Sequence, residues 1–318
     1  MTFSIGKLIF SILLLSGFTV GLWFWNTQAK IEHIDAPLPE SFPAQGFSHH
    51  SFELLLKRFV DKRGDIDYEA WKKTPNAHYE LKQYLAAVAK FSPESTPDRF
   101  ASEQDALAYW IYSYNALVIH SILENWPLKS VTDIKAPLEV IKGLGFFYKQ
   151  QFIIGGKAYN LYNLEQQKMV HAKADPRLHF VLNCGSASCP PMRPELPVGV
   201  ELEPFLQQAA IEFINDPDNV RIKDKGQALE LSKIFSWYID DFAAVSPLSL
   251  AARADKKLPT PSKERALISY IQQFTDTRLN EQIERASNQP LEYIEYDWSL
   301  NTSQGEDSPH TEREEISR

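Results

Sequence analysis

Apolar positions recur at helical spacing over residues 52–60 and again over 76–91, where Ser92-Pro93 stops the pattern. Over residues 106–123 they no longer keep to one face. Leu107, Trp110, Ile111, Tyr114, Leu117, Val118 and Ile122 ring the helix, and a helix that is apolar all round is a buried one. This segment is therefore expected at the centre of the fold, with Asn115 and His120 as its polar exceptions. The period then shortens. Gln151-Phe-Ile-Ile, Gly155-Gly156 and Lys157-Ala-Tyr-Asn predict a β-hairpin with a two-residue turn, after which Asn160 or Asn163 can cap a helix reaching residue 170. Residues 177–184 read as a strand. Residues 220–223 and 229–231 flank a Gly226 turn and predict a second hairpin. Ser232 then caps a helix to residue 242, further helices fill 262–288, and 291–296 reads as a closing strand. Helices at both ends with hairpins between them predict an α+β fold, a single domain around a buried central helix.

The ends of the chain follow other rules. Residues 8–25 form an uncharged apolar run of 18 residues behind Lys7. A membrane span needs about 20 residues, and the core of a secretory signal is shorter, roughly 7–15. Trp23 and Trp25 fit interfacial anchors, and Thr27-Gln28-Ala29 offers a weak cleavage site. Three readings stand: a signal-anchor, a cleaved signal peptide, or a buried core helix. The first two export the body of the protein, with Lys7 on the inner side as the positive-inside rule asks. Residues 1–29 are thus expected to hold the chain at a membrane, with the rest periplasmic or extracellular. Residues 30–49, with Pro37, Pro39, Pro43 and Gly46, read as a linker, and 50–301 as the globular domain. Residues 302–318 hold one apolar side chain, Ile316, and are expected to be disordered because they can bury too little surface. The net charge of −8 comes with no long basic run, so a nucleic-acid footprint is absent.

The candidate chemistry is concentrated in residues 175–193, Asp-Pro-Arg-Leu-His-Phe-Val-Leu-Asn-Cys-Gly-Ser-Ala-Ser-Cys-Pro-Pro-Met-Arg, which hold both cysteines. Cys184 and Cys189 could form a disulfide, as neighbouring cysteines in exported proteins usually do. They could instead leave a reactive thiol beside a Gly-Ser loop whose amides offer an oxyanion site. A metal site is less well supplied, since Cys184, Cys189 and His179 give three soft ligands and zinc takes a fourth group or water. Neither a metal nor a cofactor is expected. Strand alternation places His179 and Asn183 on one face and Cys184 on the other, so a cysteine–histidine pair requires Cys184 to turn out at the strand end. Glu165, near a helix start, suits either a capping carboxylate or a partner for His179. The candidate catalytic residues are Cys184, His179 and Glu165. Asn115, Asn183, Ser186 and Arg193 are the candidate substrate-binding residues, and Asn115, His179 and Glu165 each have an ordinary structural role as the competing reading.

Several motifs occur in a characteristic order: Tyr109-Trp-Ile-Tyr-Ser-Tyr-Asn-Ala-Leu117, Pro127-Leu-Lys-Ser-Val131, Gly155-Gly156 with Leu164-Glu165, the 175–193 segment, Leu231-Ser-Lys-Ile-Phe-Ser-Trp-Tyr238 with Asp241-Phe242, and Tyr296-Asp-Trp-Ser-Leu-Asn301. Over residues 50–301 the chain resembles the family of domain of unknown function 547. The resemblance itself implies no particular activity. Members usually carry His after the Glu of the Leu-Glu motif and a basic residue a helical turn later, whereas this chain has Gln166 and Met169-Val170.

Two functions follow. One is an exported, membrane-tethered cysteine-dependent hydrolase or acyl-transferase acting on a peptide or cell-wall-type substrate. The other is a non-catalytic binding or scaffold domain with a structural Cys184–Cys189 disulfide. Thiol–disulfide exchange is a third reading, disfavoured by four rather than two residues between the cysteines and by Pro190. The topology is directly testable: a reporter fused after Trp298 should be active only outside the cytoplasm, and cytoplasmic activity would refute the export reading.

Overall fold

Ser102 accepts a hydrogen bond from the Asp105 amide at 3.0 Å, and Glu103 and Asp105 occupy the first turn of the helix that follows. Both features favour a helix start, the first by capping and the second through the helix dipole. In the computed structural model this helix runs Glu103–Glu124 and is buried from Leu107 to Leu123. The structure describes residues 29–303 apart from 137–138, 140, 171–173, 224–227 and 287–289. In chain order the elements are β1 (Lys30–Glu32), α1 (His50–Phe59), α2 (Tyr68–Lys73), α3 (Ala77–Lys90) and the central helix α4 (Glu103–Glu124). Next come β2 (Gln150–Ile154), β3 (Lys157–Tyr159), the helical turn α5 (Leu161–Asn163), α6 (Leu202–Asn215), β4 (Val220–Lys223) and β5 (Ala228–Leu231). The chain closes with α7 (Lys233–Trp237), α8 (Ile239–Ala244), α9 (Pro247–Ala254), α10 (Lys263–Ile271), α11 (Thr277–Arg285) and β6 (Leu291–Tyr293).

The fold is α+β, a single domain, with α4 packed against α2, α3, α6 and the wide helical turns Leu164–Val170 that continue α5. Two small sheets flank it, ordered β1-β2-β3 and β4-β5-β6. The first hairpin has the expected turn, with Gly155 and Gly156 at φ 55° and 83°, a conformation that costs glycine little. Each sheet also gains a parallel strand: β1 on β2, with Lys30 opposite Gln150, which local patterning does not reveal, and the expected closing strand β6 on β5, with Leu229 opposite Leu291.

Four expectations are corrected. Residues 177–184 are not a strand. Asp175 accepts from the Arg177 amide at 3.0 Å and Pro176 sits at the first position of a 3₁₀ helix, Pro176–Phe180, so capping and a fixed proline φ override the apolar run. The helix after Ser232 breaks at Tyr238 into α7 and α8. The closing strand ends at Tyr293 rather than Tyr296. Residues 30–49, read as a linker, are held against the body. The Arg99 guanidinium donates to the carbonyls of Gly46 at 2.7 Å and Ala44 at 2.9 Å, and Phe47 sets its ring edge-on to Tyr109 with centroids 4.9 Å apart. The segments 1–28 and 304–318 lie outside the described residues, and among the described residues no helix is long and apolar enough to cross a membrane.

Trp110, buried on α4 with its ring edge-on to Tyr109 at 4.9 Å, tests the core assignment. Trp110→Ala should cost about 3–5 kcal/mol in urea unfolding, as for other large buried side chains. A loss below about 1 kcal/mol would place α4 outside the cooperative core.

Candidate functional site

Asn115 projects from the middle of α4 into the segment that carries the cysteines. Its Nδ2 donates to the Val181 carbonyl at 2.9 Å and its Oδ1 accepts from the Asn183 amide at 2.9 Å. Asn183 in turn donates to the Pro190 carbonyl at 2.7 Å and accepts from the Gly185 amide at 2.8 Å. Gly185 is left-handed at φ 83°, and a Cβ there would come within 2.5 Å of Ile122 Cδ1 on α4. These contacts fold residues 183–190 back on themselves. Cys184 and Cys189, with Cα atoms 6.2 Å apart, form a disulfide, and both are half-buried. Closing so short a loop is worth about 2 kcal/mol on chain-entropy grounds.

The disulfide forms part of the wall of a cleft of about 320 Å³. Trp237, Tyr296 and Trp298 line it as one aromatic group, with Tyr296 4.6 Å from each tryptophan. Tyr148 and Tyr162, stacked at 4.6 Å, line it as another. Glu165, His179, Tyr238 and Lys142 are among its polar lining. Glu165 is buried and accepts from the Tyr238 hydroxyl at 2.8 Å. Burial holds its carboxyl above the usual glutamate range, against the opposing pull of His179 and the Tyr238 bond. Burial and the Glu165 carboxylate push the Tyr238 hydroxyl far upward, so it stays protonated and donates. His179 stacks on Tyr238 with centroids 3.7 Å apart. Its Nε2 lies 3.0 Å from Asp241 Oδ2, and because a carboxylate only accepts, that nitrogen carries the proton in this contact. Tyr296 places its hydroxyl 2.7 Å from Ser186 Oγ, 3.3 Å from Cys184 Sγ and 3.2 Å from Cys189 Sγ. Burial pushes that hydroxyl up to about 12.

The structure therefore brings Glu165, His179 and Cys184 to one cleft, but not as a nucleophile with its base. Cys184 is bonded to Cys189, and no free cysteine is left. Several loop amides are also committed: Ala187 donates to the Ser299 carbonyl, Ser188 to that of Asp297, Cys189 to that of Ser186 and Cys184 to the Cys189 sulfur, so these four are not offered to an oxyanion. Asn115 and Asn183 are buried staples outside the cleft. Ser186 is fully buried, and Ala187 and Ser188 line a separate hollow with Asp216 and Asp297. Arg193 sits elsewhere, 2.5 Å from Glu212, and Arg177 is paired with Asp175 and Glu203. Trp237 is 45% exposed and lines the cleft.

Residues 98–214 match the family described as protein of unknown function, DUF547. No curated protein and no solved structure matches the chain. The DUF547 segment contains α4, the first hairpin, Glu165, His179 and the disulfide loop. Tyr238, Asp241, Tyr296 and the two tryptophans come from beyond it. The family resemblance read from the sequence holds. The sequence also carried a signal for the missed residues, because Tyr238, Asp241 and Tyr296 stand in the later motifs. Nothing in their spacing showed that they fold over His179 and the cysteines.

Glu165 gives a test with a defined sign. Its folded-state carboxyl lies above the ordinary value of 4.5, so the folded protein holds this proton more tightly than the unfolded chain, and ionisation costs stability as pH rises past that value. Glu165→Gln removes the cost. Relative to wild type, the variant should gain stability progressively from about pH 4 upward and then level off once Glu165 is ionised in both states. Urea unfolding across that range measures the difference, and a pH-independent difference would contradict the buried, proton-retaining carboxyl.

Proposed function

We propose that the protein is a binding domain tethered to a membrane by its N-terminal segment, with its body outside the cytoplasm, and that the aromatic cleft takes a saccharide-bearing, cell-wall-type ligand. The observation that carries this reading is the composition of the cleft: two aromatic groups, Trp237-Tyr296-Trp298 and Tyr148-Tyr162, line it together with the polar side chains of Glu165, Tyr238, His179 and Lys142. Binding sites are concave and mostly apolar, with a few placed polar groups. Aromatic faces suit the apolar faces of a sugar ring, and a carboxyl held toward its neutral form can both donate to and accept from hydroxyls and amides. In this reading the Cys184–Cys189 disulfide is structural, fixing one wall. Export and tethering rest on the 8–25 apolar run and Lys7.

A second reading, the cysteine-dependent hydrolase or acyl-transferase, is favoured by one specific arrangement. The Tyr296 and Ser186 hydroxyls both lie within hydrogen-bonding range of Cys184 Sγ, where they would stabilise a thiolate once the disulfide is reduced. In that reading activity requires reductant.

The two separate cleanly. Soluble disaccharide-peptide fragments of peptidoglycan should perturb the fluorescence of the oxidised full-length protein in detergent, because Trp237 and Trp298 line the cleft. Trp237→Ala should weaken binding by roughly tenfold or more, the scale of a buried aromatic contact at an interface. Unchanged fluorescence in the oxidised protein, with turnover of the same fragments appearing only on reduction and vanishing in Cys184→Ser, would overturn the binding reading in favour of the enzyme.

A further inference from the structure

At the C-terminal end of α4, away from the cleft, a second group of chemically capable side chains meets. His120 and Glu124 are four residues apart on α4, so they share a face. His78 comes from the first turn of α3. His78 Nε2 lies 3.4 Å from His120 Nδ1 and 3.5 Å from Glu124 Oε1. One donor atom from each of the three residues falls within 4.8 Å of the other two.

We propose that His78, His120 and Glu124 form a binding site for a zinc-type divalent cation that clips α3 to α4. Zinc bonds of about 2.0–2.1 Å to nitrogen and 2.0–2.2 Å to oxygen, at tetrahedral angles, put donor atoms about 3.4 Å apart, close to the 3.4 Å and 3.5 Å that separate His78 Nε2 from His120 Nδ1 and Glu124 Oε1. Two imidazoles and one carboxylate are a donor set that zinc takes with the fourth position left to water. Neither histidine needs to travel. His120 is buried within the core-facing helix, and the His78 side chain is 16% exposed.

The competing occupant of Glu124 is Lys82, whose ammonium lies 2.5 Å from Oε1. Its side chain is 31% exposed, so it can swing into water when a cation takes the carboxylate. Lys72, the other nearby cation, is held by the Leu123 carbonyl at 2.7 Å. A cation site therefore has to displace one lysine contact, and this gives the site a signature that an adventitious surface histidine pair lacks.

The test uses the untagged, full-length, chelator-stripped protein in detergent. Zn²⁺ is read by thermal unfolding, and Co²⁺ by its visible absorption in four-coordinate geometry. Wild type should bind one equivalent, with a raised unfolding midpoint. His78→Ala and Glu124→Gln, both at partly exposed positions, should each weaken binding by at least about tenfold and abolish the Co²⁺ spectrum, while Lys82→Gln should tighten it by about tenfold, the scale on which groups around a metal act. Absence of a metal-dependent shift in wild type would overturn the proposal. So would His78→Ala binding as wild type does, or Lys82→Gln leaving the affinity unchanged.

Discussion

A polar amide buried on an apolar helix has to be satisfied at both of its ends, and in this protein that requirement organises the site. Asn115 is 5% exposed, and the partners of its side chain lie off α4. It takes the carbonyl of Val181 with one end and the amide of Asn183 with the other. A buried amide left without partners costs about 1–3 kcal/mol for each lost contact, so the segment entering the cysteine loop is held to the helix. The chain of contacts runs on through Asn183 to Gly185 and Pro190 and so to the disulfide. A rigid core helix thus positions a short loop, and the loop positions one wall of the cleft.

The same burial shapes the electrostatics. Glu165, Tyr238 and His179 are packed among aromatic rings, where charge is poorly solvated. The Glu165 carboxyl is pushed toward its neutral form and Tyr238 keeps its proton. Asp241 orients the histidine ring from the more exposed side. The cleft lining therefore combines hydrogen-bonding groups and aromatic faces with one ammonium, Lys142, which lies 5.3 Å from the Trp298 ring centroid. With both sulfurs bonded to each other, the chemistry open to the oxidised protein lies with Glu165, His179 and Tyr238.

Much of this was legible in the sequence wherever a local rule decides the outcome. The all-round apolar run predicted the buried helix, and the glycine pair predicted the first hairpin. The cysteine spacing allows the disulfide, and Glu165 and His179 line one cleft with the cysteines. The failures have physical causes. Leu178 to Leu182 is a short apolar run, which periodicity alone cannot divide between strand and helix; the Asp175 cap and Pro176 decided it. With the strand lost, the alternation that set His179 against Cys184 no longer applied. Asn115 and Asn183 were read as pocket residues, although their buried position made a mutual hydrogen bond the cheaper solution. Asp241 meets His179 across 62 residues and Tyr296 meets Cys184 across 112. Such contacts arise from global packing and leave no trace in local spacing.

The central claim is that Asn115, through the cysteine loop, holds the cleft in shape. The most direct measurement is urea unfolding of Asn115→Ala, monitored by the emission of Trp237 and Trp298 in the cleft wall. Leaving the Val181 carbonyl and the Asn183 amide unpaired should cost about 2–4 kcal/mol, and the native-state emission should shift as the wall loosens. A loss under about 0.5 kcal/mol with unchanged emission would show that the loop and the cleft keep their form without the helix amide, and the account would fail at its base.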